Sequence, residues 1–187
     1  MQSSKIILGL IGEIAAGKTM VTTYLKEHYG AGSARFSDSL RDILKRMYLD
    51  ETRNNLQILS LALRNTFGQD IISKIIHNDV EHKKNNIIII EGMRRFDDMA
   101  CFMDDEAFKI VFIKADEKIR YQRLNQRSEN KDDQNKTWEE FLKESNSESE
   151  LQIREIAKKA NFVIDNSGTI QELHDQIDKM MRESKIE

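Results

Sequence analysis

The sequence contains no proline and a single cysteine, Cys101. One cysteine excludes an internal disulfide and fits a reducing compartment. The missing proline carries no functional reading. No apolar run approaches the roughly 20 residues that a membrane-spanning helix needs. The opening MQSSKIILGLIG has too short an apolar stretch for a secretory leader. The expectation is a cytoplasmic protein with no membrane attachment. Positive charge is not in excess either: 29 Lys and Arg stand against 32 Asp and Glu, a formal net charge of -3. That argues against general nucleic-acid binding, and no stable nucleic-acid partner is expected. The 4 histidines show no metal-ligand spacing.

What is present suits one domain. The 187 residues are enough to bury a real core, with 39% hydrophobic and 33% charged residues. KIILGLIG (5–12) reads as a short buried strand, and NNIIIIEG as the clearest buried strand in the chain. Further strands are expected over 34–36, 108–115 and NFVIDNSG. Between them lie helical patterns: KTMVTTYLKEHY stopped by Gly30, a helix opened by Ser37 or Asp38 as N-cap, one stopped by Gly68, and one over 70–81. RFDDMACFMD reads as a short helix, DEKIRYQRLNQR as a helix opened by Asp116, and 128–136 as a polar loop. A long helix capped by Thr137 runs to about 160, and TIQELHDQIDKMMRES closes the chain. The alternation predicts an α/β fold: a three-layer α/β/α sandwich around a mostly parallel sheet of about five strands.

GEIAAGKT, residues 12–19, meets G-x-x-x-x-G-K-[ST] through Gly12, Gly17, Lys18 and Thr19, in a chain with only 8 glycines. The spacing has a physical reason. The loop wraps an anion so that successive backbone N–H groups of Glu13, Ile14, Ala15, Ala16 and Gly17 face inward, while the next helix, entered through Met20, adds its positive N-terminus. The lysine reaches the β- and γ-phosphates and the threonine hydroxyl ligates Mg²⁺. A strand before and a helical pattern after support a P-loop NTPase fold binding ATP. A tight strand-to-helix turn with a surface lysine is the bland alternative.

A GTPase reading fails on context. NKDD (130–133) and DNSG (165–168) formally fit guanine-nucleotide motifs, but the first follows no apolar strand and the second comes too late in the chain. The arginines point elsewhere, because guanidinium groups grip phosphate oxygens in pairs. Arg41 follows the second strand, and Arg94 stands just past the isoleucine strand. Arg120, Arg123 and Arg127 run along one helix into the polar loop.

Taken together, GEIAAGKT, SDSLR, IIIIEGMRR, RYQRLNQRSENKDD and FVIDNSGTIQEL resemble the P-loop nucleoside monophosphate kinase family. Their order looks most like a mainly archaeal group related to both adenylate kinase and dephospho-coenzyme A kinase. The resemblance implies acceptor-binding helices over about 38–84 and a lid over about 120–137 of a single domain spanning 1–187. It implies that Asp38, Arg41 and Arg94 face the acceptor. Arg64, a single arginine in the otherwise apolar LALRNTFG, wants a partner and is a candidate for the wall of that site. Arg123 and Arg127 close over the transferring group, and Asn166 and Gly168 frame adenine. Mg²⁺ is expected on Thr19 with Glu91 nearby. The chain departs from the family pattern at Ala15, where many such kinases carry glycine, and at Glu91, where aspartate is usual. If residue 15 needs positive φ, alanine there costs about 1 kcal/mol.

Each assignment has a plainer alternative. Arg41 and Arg94 also read as solvated or ion-paired arginines, Asp38 as a helix cap, and Asn166 and Gly168 as an ordinary turn. Cys101 reads as a small buried hydrophobe and Trp138 as packing at its helix start. The expected reaction is transfer of the γ-phosphoryl group of ATP to a nucleoside or deoxynucleoside monophosphate, in a monomer or homodimer. Lys18 and the loop hold the donor, and no general base is needed. The first alternative is a dephospho-coenzyme A kinase, whose hydroxyl acceptor needs a base, with Asp38 the candidate. The second is a nucleotide-binding regulatory ATPase or switch.

Overall fold

The computed structural model describes residues 5–126 and 136–184. Strand β1 (Ile6–Ile11) is buried along its whole length. Ile7 and Ile11 enter one apolar cluster, and Ile6, Leu8 and Leu10 enter another. That period of two places helices over both faces of the strand. Strand β3 (Ile87–Glu91) repeats it: Ile88 and Ile90 join the first cluster and Ile89 the second. Each such buried isoleucine stabilises the fold by about 1.5–3 kcal/mol.

Strands β2 (Gly32–Arg35), β4 (Phe108–Lys114) and β5 (Phe162–Asp165) complete a sheet of order β2-β3-β1-β4-β5. Every pairing is parallel. Helices α1 (Lys18–Tyr29) and α8 (Ile170–Glu183) cover one face through Val21, Leu25, Leu173 and Ile177. Helices α2 (Phe36–Arg46) and α4 (Ile71–Glu81) cover the other, and α3 (Arg53–Phe67) lies against both. After β4 come α5 (Glu117–Gln126), α6 (Trp138–Ser145) and α7 (Glu148–Ala157); α7 returns to β1 and β4. This is the expected three-layer α/β/α sandwich of the P-loop NTPase type. The strand order reverses at β1, so its carboxyl end, between those of β3 and β4, is the natural crevice for a ligand.

Four local expectations are corrected. Neither Ser37 nor Asp38 caps α2: β2 passes straight into the helix, the cap is Arg35, and Asp38 lies in the first turn. The strand expected over 34–36 therefore ends at Arg35. The helix expected after Arg95 is only a single 3-10 turn, Phe96–Met99, and Cys101 is half-buried in the turn that follows. The long helix after Thr137 is two helices broken at Asn146 and Ser147. There the Asn146 side chain donates to Leu142 O at 2.9 Å. Asn and Ser compete in this way with helix continuation. Thr137 caps α6 as expected, with Glu140 closing the box. Trp138 stacks edge-on against Tyr121, centroids 5.2 Å apart.

Candidate active site

The loop between β1 and α1 is gripped from three sides. Gly17, the cap of α1, has φ 97° and ψ 25°. A Cβ there would stand 2.0 Å from Asn166 Nδ2, and a Cβ on Gly12 would stand 2.4 Å from Ile113 O. Glycine is required at both by close approach, and at Gly17 by the left-handed backbone as well. Ala15 does sit at positive φ, 58°, so the loop carries strain at that position. Lys18 Nζ donates to Gly12 O at 2.5 Å and Glu13 O at 3.0 Å, which holds the ammonium over the loop. Thr19 and Met20 are exposed on the first turn of α1. Asn166 is buried and donates to Ala16 O at 2.9 Å. Its amide braces the loop from beneath, whereas the family resemblance put it at an adenine pocket. Gly168 lies in the exposed turn between β5 and α8.

Arg123 reaches this loop from α5. Its Nη2 lies 3.5 Å from Asn166 Oδ1, and its Nη1 is buried with no hydrogen-bond partner among the described residues. Nη1 stands 3.7 Å from the Cβ position of Gly17. Burial pushes the guanidinium below its ordinary pKa. A half-buried cation with a buried, open donor at a helix N-terminus is a place for an anion. Arg120 is committed elsewhere: only 3% exposed, it contacts Glu13 Oε1 and Ile14 O, both at 3.4 Å. Arg127 and residues 128–135 of the expected lid lie outside the described residues.

The residues expected to face an acceptor are mostly paired with carboxylates. Glu91 ends β3 beside Leu10 of β1 and is bound by Arg35 at 3.0 Å. Arg41 contacts Asp38 at 3.1 Å and Glu51 at 3.5 Å. Arg64 does not stand open in the wall of a site. It is buried, donates to Gln69 O and Ser60, and meets Asp98 at 2.6 Å. Asp98 in turn accepts from the backbone N–H groups of Arg94 and Arg95, at 2.8 and 3.0 Å. Arg64 therefore holds the turn that presents Arg94. Arg94 itself is half-exposed, with Nη1 3.5 Å from Glu150 Oε1.

Glu150, Arg154 and Asp98 are the residues that sequence reasoning missed. Glu150 Oε2 accepts the N–H of Ile14, inside the loop, at 2.9 Å. Arg154 donates to Glu13 Oε1 through Nε at 2.9 Å and Nη2 at 2.8 Å. A signal existed, but it misleads. Ser147 and Glu150 have the spacing of a capping box, as do Thr137–Glu140 and Thr169–Glu172, which do form one. Glu150 instead turns away from its own helix to the loop 136 residues earlier.

Thr19 and Glu91 offer a hydroxyl and a carboxylate, hard oxygen donors that fit Mg²⁺. Among the described residues, no three His, Cys, Asp or Glu side chains gather as a metal cluster. That does not bear on an ion held chiefly by phosphates and water. A cavity of about 590 Å³ lies on the outer flank of β2, lined by Arg35, Asp38, Asp42, Asp79 and His82. It includes no loop residue, so it is not the phosphate site. A groove of about 320 Å³ runs between α1 and α8 past Thr19, Tyr24 and His174. Among the described residues, no helix is long and apolar enough to cross a membrane.

The AAA domain family matches residues 11–143. A UPF0200 protein of Pyrococcus horikoshii is 28% identical over 186 residues, covering 97% of both chains. A UPF0200 protein of Pyrococcus abyssi is 25% identical, covering 95% of this chain and 96% of the relative. Among solved structures, a Thermus thermophilus protein superposes with TM-score 0.65 at 20% identity, covering 96% of this chain and 98% of that one. A shikimate kinase from Bacteroides thetaiotaomicron superposes with TM-score 0.63 at 12% identity, covering 95% and 97%. At these identities the structural likenesses establish the fold alone.

Proposed function

The chain belongs to the AAA domain family, and from that premise we propose that it is an ATP-dependent phosphotransferase acting on a small acceptor. The observation that supports this most is Arg123 Nη1, buried without a partner among the described residues, beside Gly17 at the head of α1. A buried guanidinium donor left open there is completed by a phosphate oxygen of a bound nucleotide.

In this reading the loop N–H groups and Lys18 hold the triphosphate, and Arg123 lies against the transferring group. Thr19 and Glu91 would hold Mg²⁺, which supplies charge neutralisation on the β- and γ-phosphates. Helices α2 to α4 form the acceptor arm.

Two acceptors remain in play. A nucleoside or deoxynucleoside monophosphate requires Arg41, Arg64 and Arg94 around its phosphate. Yet these three face Asp38, Asp98 and Glu150. The Asp98 and Glu150 side chains are each only 3% exposed and have no solvent to retreat into. That pairing favours the second reading, a hydroxyl acceptor of the dephospho-coenzyme A kind. The test is an acceptor screen with Mg-ATP against each ribo- and deoxyribonucleoside monophosphate, dephospho-coenzyme A and a panel of small polyols and hydroxy acids, following ADP and product. Turnover with one acceptor establishes the kinase and its class. Silence with all of them, alongside tight ATP binding, overturns the kinase and leaves a nucleotide-binding switch.

A further inference from the structure

Glu150 is a buried carboxylate, 2% exposed, with no role in capping its own helix. Its two oxygens join two donors from opposite halves of the cleft: the Ile14 N–H at 2.9 Å and Arg94 Nη1 at 3.5 Å. On the kinase reading, the first donor belongs to the γ-phosphate of the nucleotide and the second faces the acceptor. A carboxylate between them is itself an anion at the point of transfer.

The Ile14 N–H serves one anion at a time. When the γ-phosphate takes it, Glu150 is left tethered through Arg94, on the acceptor side of the transferring group. There a carboxylate repels a phosphate acceptor, and the repulsion is strong where little water screens it. Toward a neutral hydroxyl it has the opposite effect, because it can accept the proton.

We infer that Glu150 is the general base and the acceptor-specificity determinant of this site, and that the acceptor's reacting group is a neutral hydroxyl. The inference rests on the kinase reading above. In the reaction, the acceptor O–H gives its proton to the Glu150 carboxylate as the acceptor oxygen bonds to the γ-phosphorus. The bond from that phosphorus to the β–γ bridging oxygen breaks, and its electron pair leaves with ADP. Glu150 returns the proton to water as products depart. Asp38, the base expected from sequence, has a side chain 64% exposed and held by Arg41. It lines the outer cavity beside β2 and not the phosphate loop.

The test compares the full-length wild type with Glu150→Gln, Glu150→Asp and Asp38→Asn, after circular dichroism has checked that each folds. Two readouts are taken. The first is calorimetric binding of ATP and ADP, which needs no acceptor. Glu150→Gln should tighten ATP severalfold and leave ADP nearly unchanged, because only the γ-phosphate contests the Ile14 N–H. An unchanged or weakened ATP:ADP preference overturns the shared seat. The second is the acceptor screen. Transfer should go to a hydroxyl compound, and Glu150→Gln should lower kcat about 10²- to 10⁴-fold and remove the acidic limb of its pH profile. Glu150→Asp should restore part of the rate.

Transfer to monophosphates only, or a loss caused by Asp38→Asn and not by Glu150→Gln, overturns the inference and leaves the kinase standing. No transfer to any acceptor by the wild type overturns both.

Discussion

Ala15 holds φ 58° in the phosphate loop, a conformation that costs an L-residue about 1–2 kcal/mol. Glycine relieves that strain and loses about 0.5–1 kcal/mol of it back through a freer unfolded chain. Ala15→Gly is therefore expected to stabilise the protein by about 0.5–1 kcal/mol. That corresponds to a rise of about 1–4 °C in Tm, measured by thermal unfolding. The sign discriminates: a fall in Tm would mean that the Ala15 methyl contributes packing worth more than the strain. At the same scale Gly17 has no such latitude, since Asn166 Nδ2 occupies the space of its missing side chain.

Two contacts tie whole elements together. Arg64 on α3 meets Asp98 in the turn after β3, and both are nearly fully buried. Removing one partner leaves an unpaired buried charge and costs about 3–5 kcal/mol. Arg64→Ala should show that loss in denaturant midpoint and also loosen the Arg94 turn, seen as faster amide exchange at residues 94 and 95. Retained stability would place Arg64 in the acceptor site after all.

The second contact joins α1 to α8, where Tyr24 and Tyr29 both donate to Asp178, at 2.9 and 2.8 Å. Burial first, and then the hydrogen bond to Asp178, push the Tyr29 phenol up to about 12. The folded form thus holds this proton more tightly than the unfolded chain. Its contribution is complete below pH 10.0, the ordinary tyrosine value, and is lost as pH rises toward about 12. Tyr29→Phe should flatten that alkaline decline in denaturation curves. Asp178 behaves oppositely: the Tyr29 hydrogen bond lowers its pKa, so its contribution fades as pH falls through the acid range.

Across the whole molecule, Glu144 links the halves of the cleft. It accepts from Arg53 at the start of α3, at 3.1 Å, and from Lys136 just before α6. Burial alone would raise its pKa, but these two cations together hold it below the usual value. Glu144→Gln should free α3, read as faster hydrogen exchange in that helix with the sheet unchanged. Unaltered exchange would mean that α2 and α4 alone fix α3. The sheet itself resists such changes, because both of its faces are closed by apolar clusters.

The fold was legible because its signals are local and periodic. Buried strands read as isoleucine runs, helices as 3.6-residue patterns stopped by Gly30 and Gly68, and the phosphate loop as glycines at a spacing only that loop requires. The strain at residue 15 was foreseen from one alanine at a glycine position. Misreadings came where neighbours decide: the Asn146–Ser147 break, and Asp38 as a cap where β2 runs directly into α2.

The partners of the acceptor-side arginines were not legible, although ion pairing was an open reading for Arg41 and Arg94, because the outcome depends on which carboxylate meets which arginine. Arg64, alone in the apolar LALRNTFG, asks for a partner, and Arg94 follows the isoleucine strand, but neither context names the carboxylate it meets. One is locked on Asp98 and the other meets Glu150, 56 residues later. Sequence by itself determined the architecture and the anion-binding loop, since those follow from backbone geometry and from the partition of side chains between apolar core and water. Tertiary structure alone decided the charge balance of the cleft, since Coulombic pairing falls off over a few ångströms and joins residues that no sequence pattern connects.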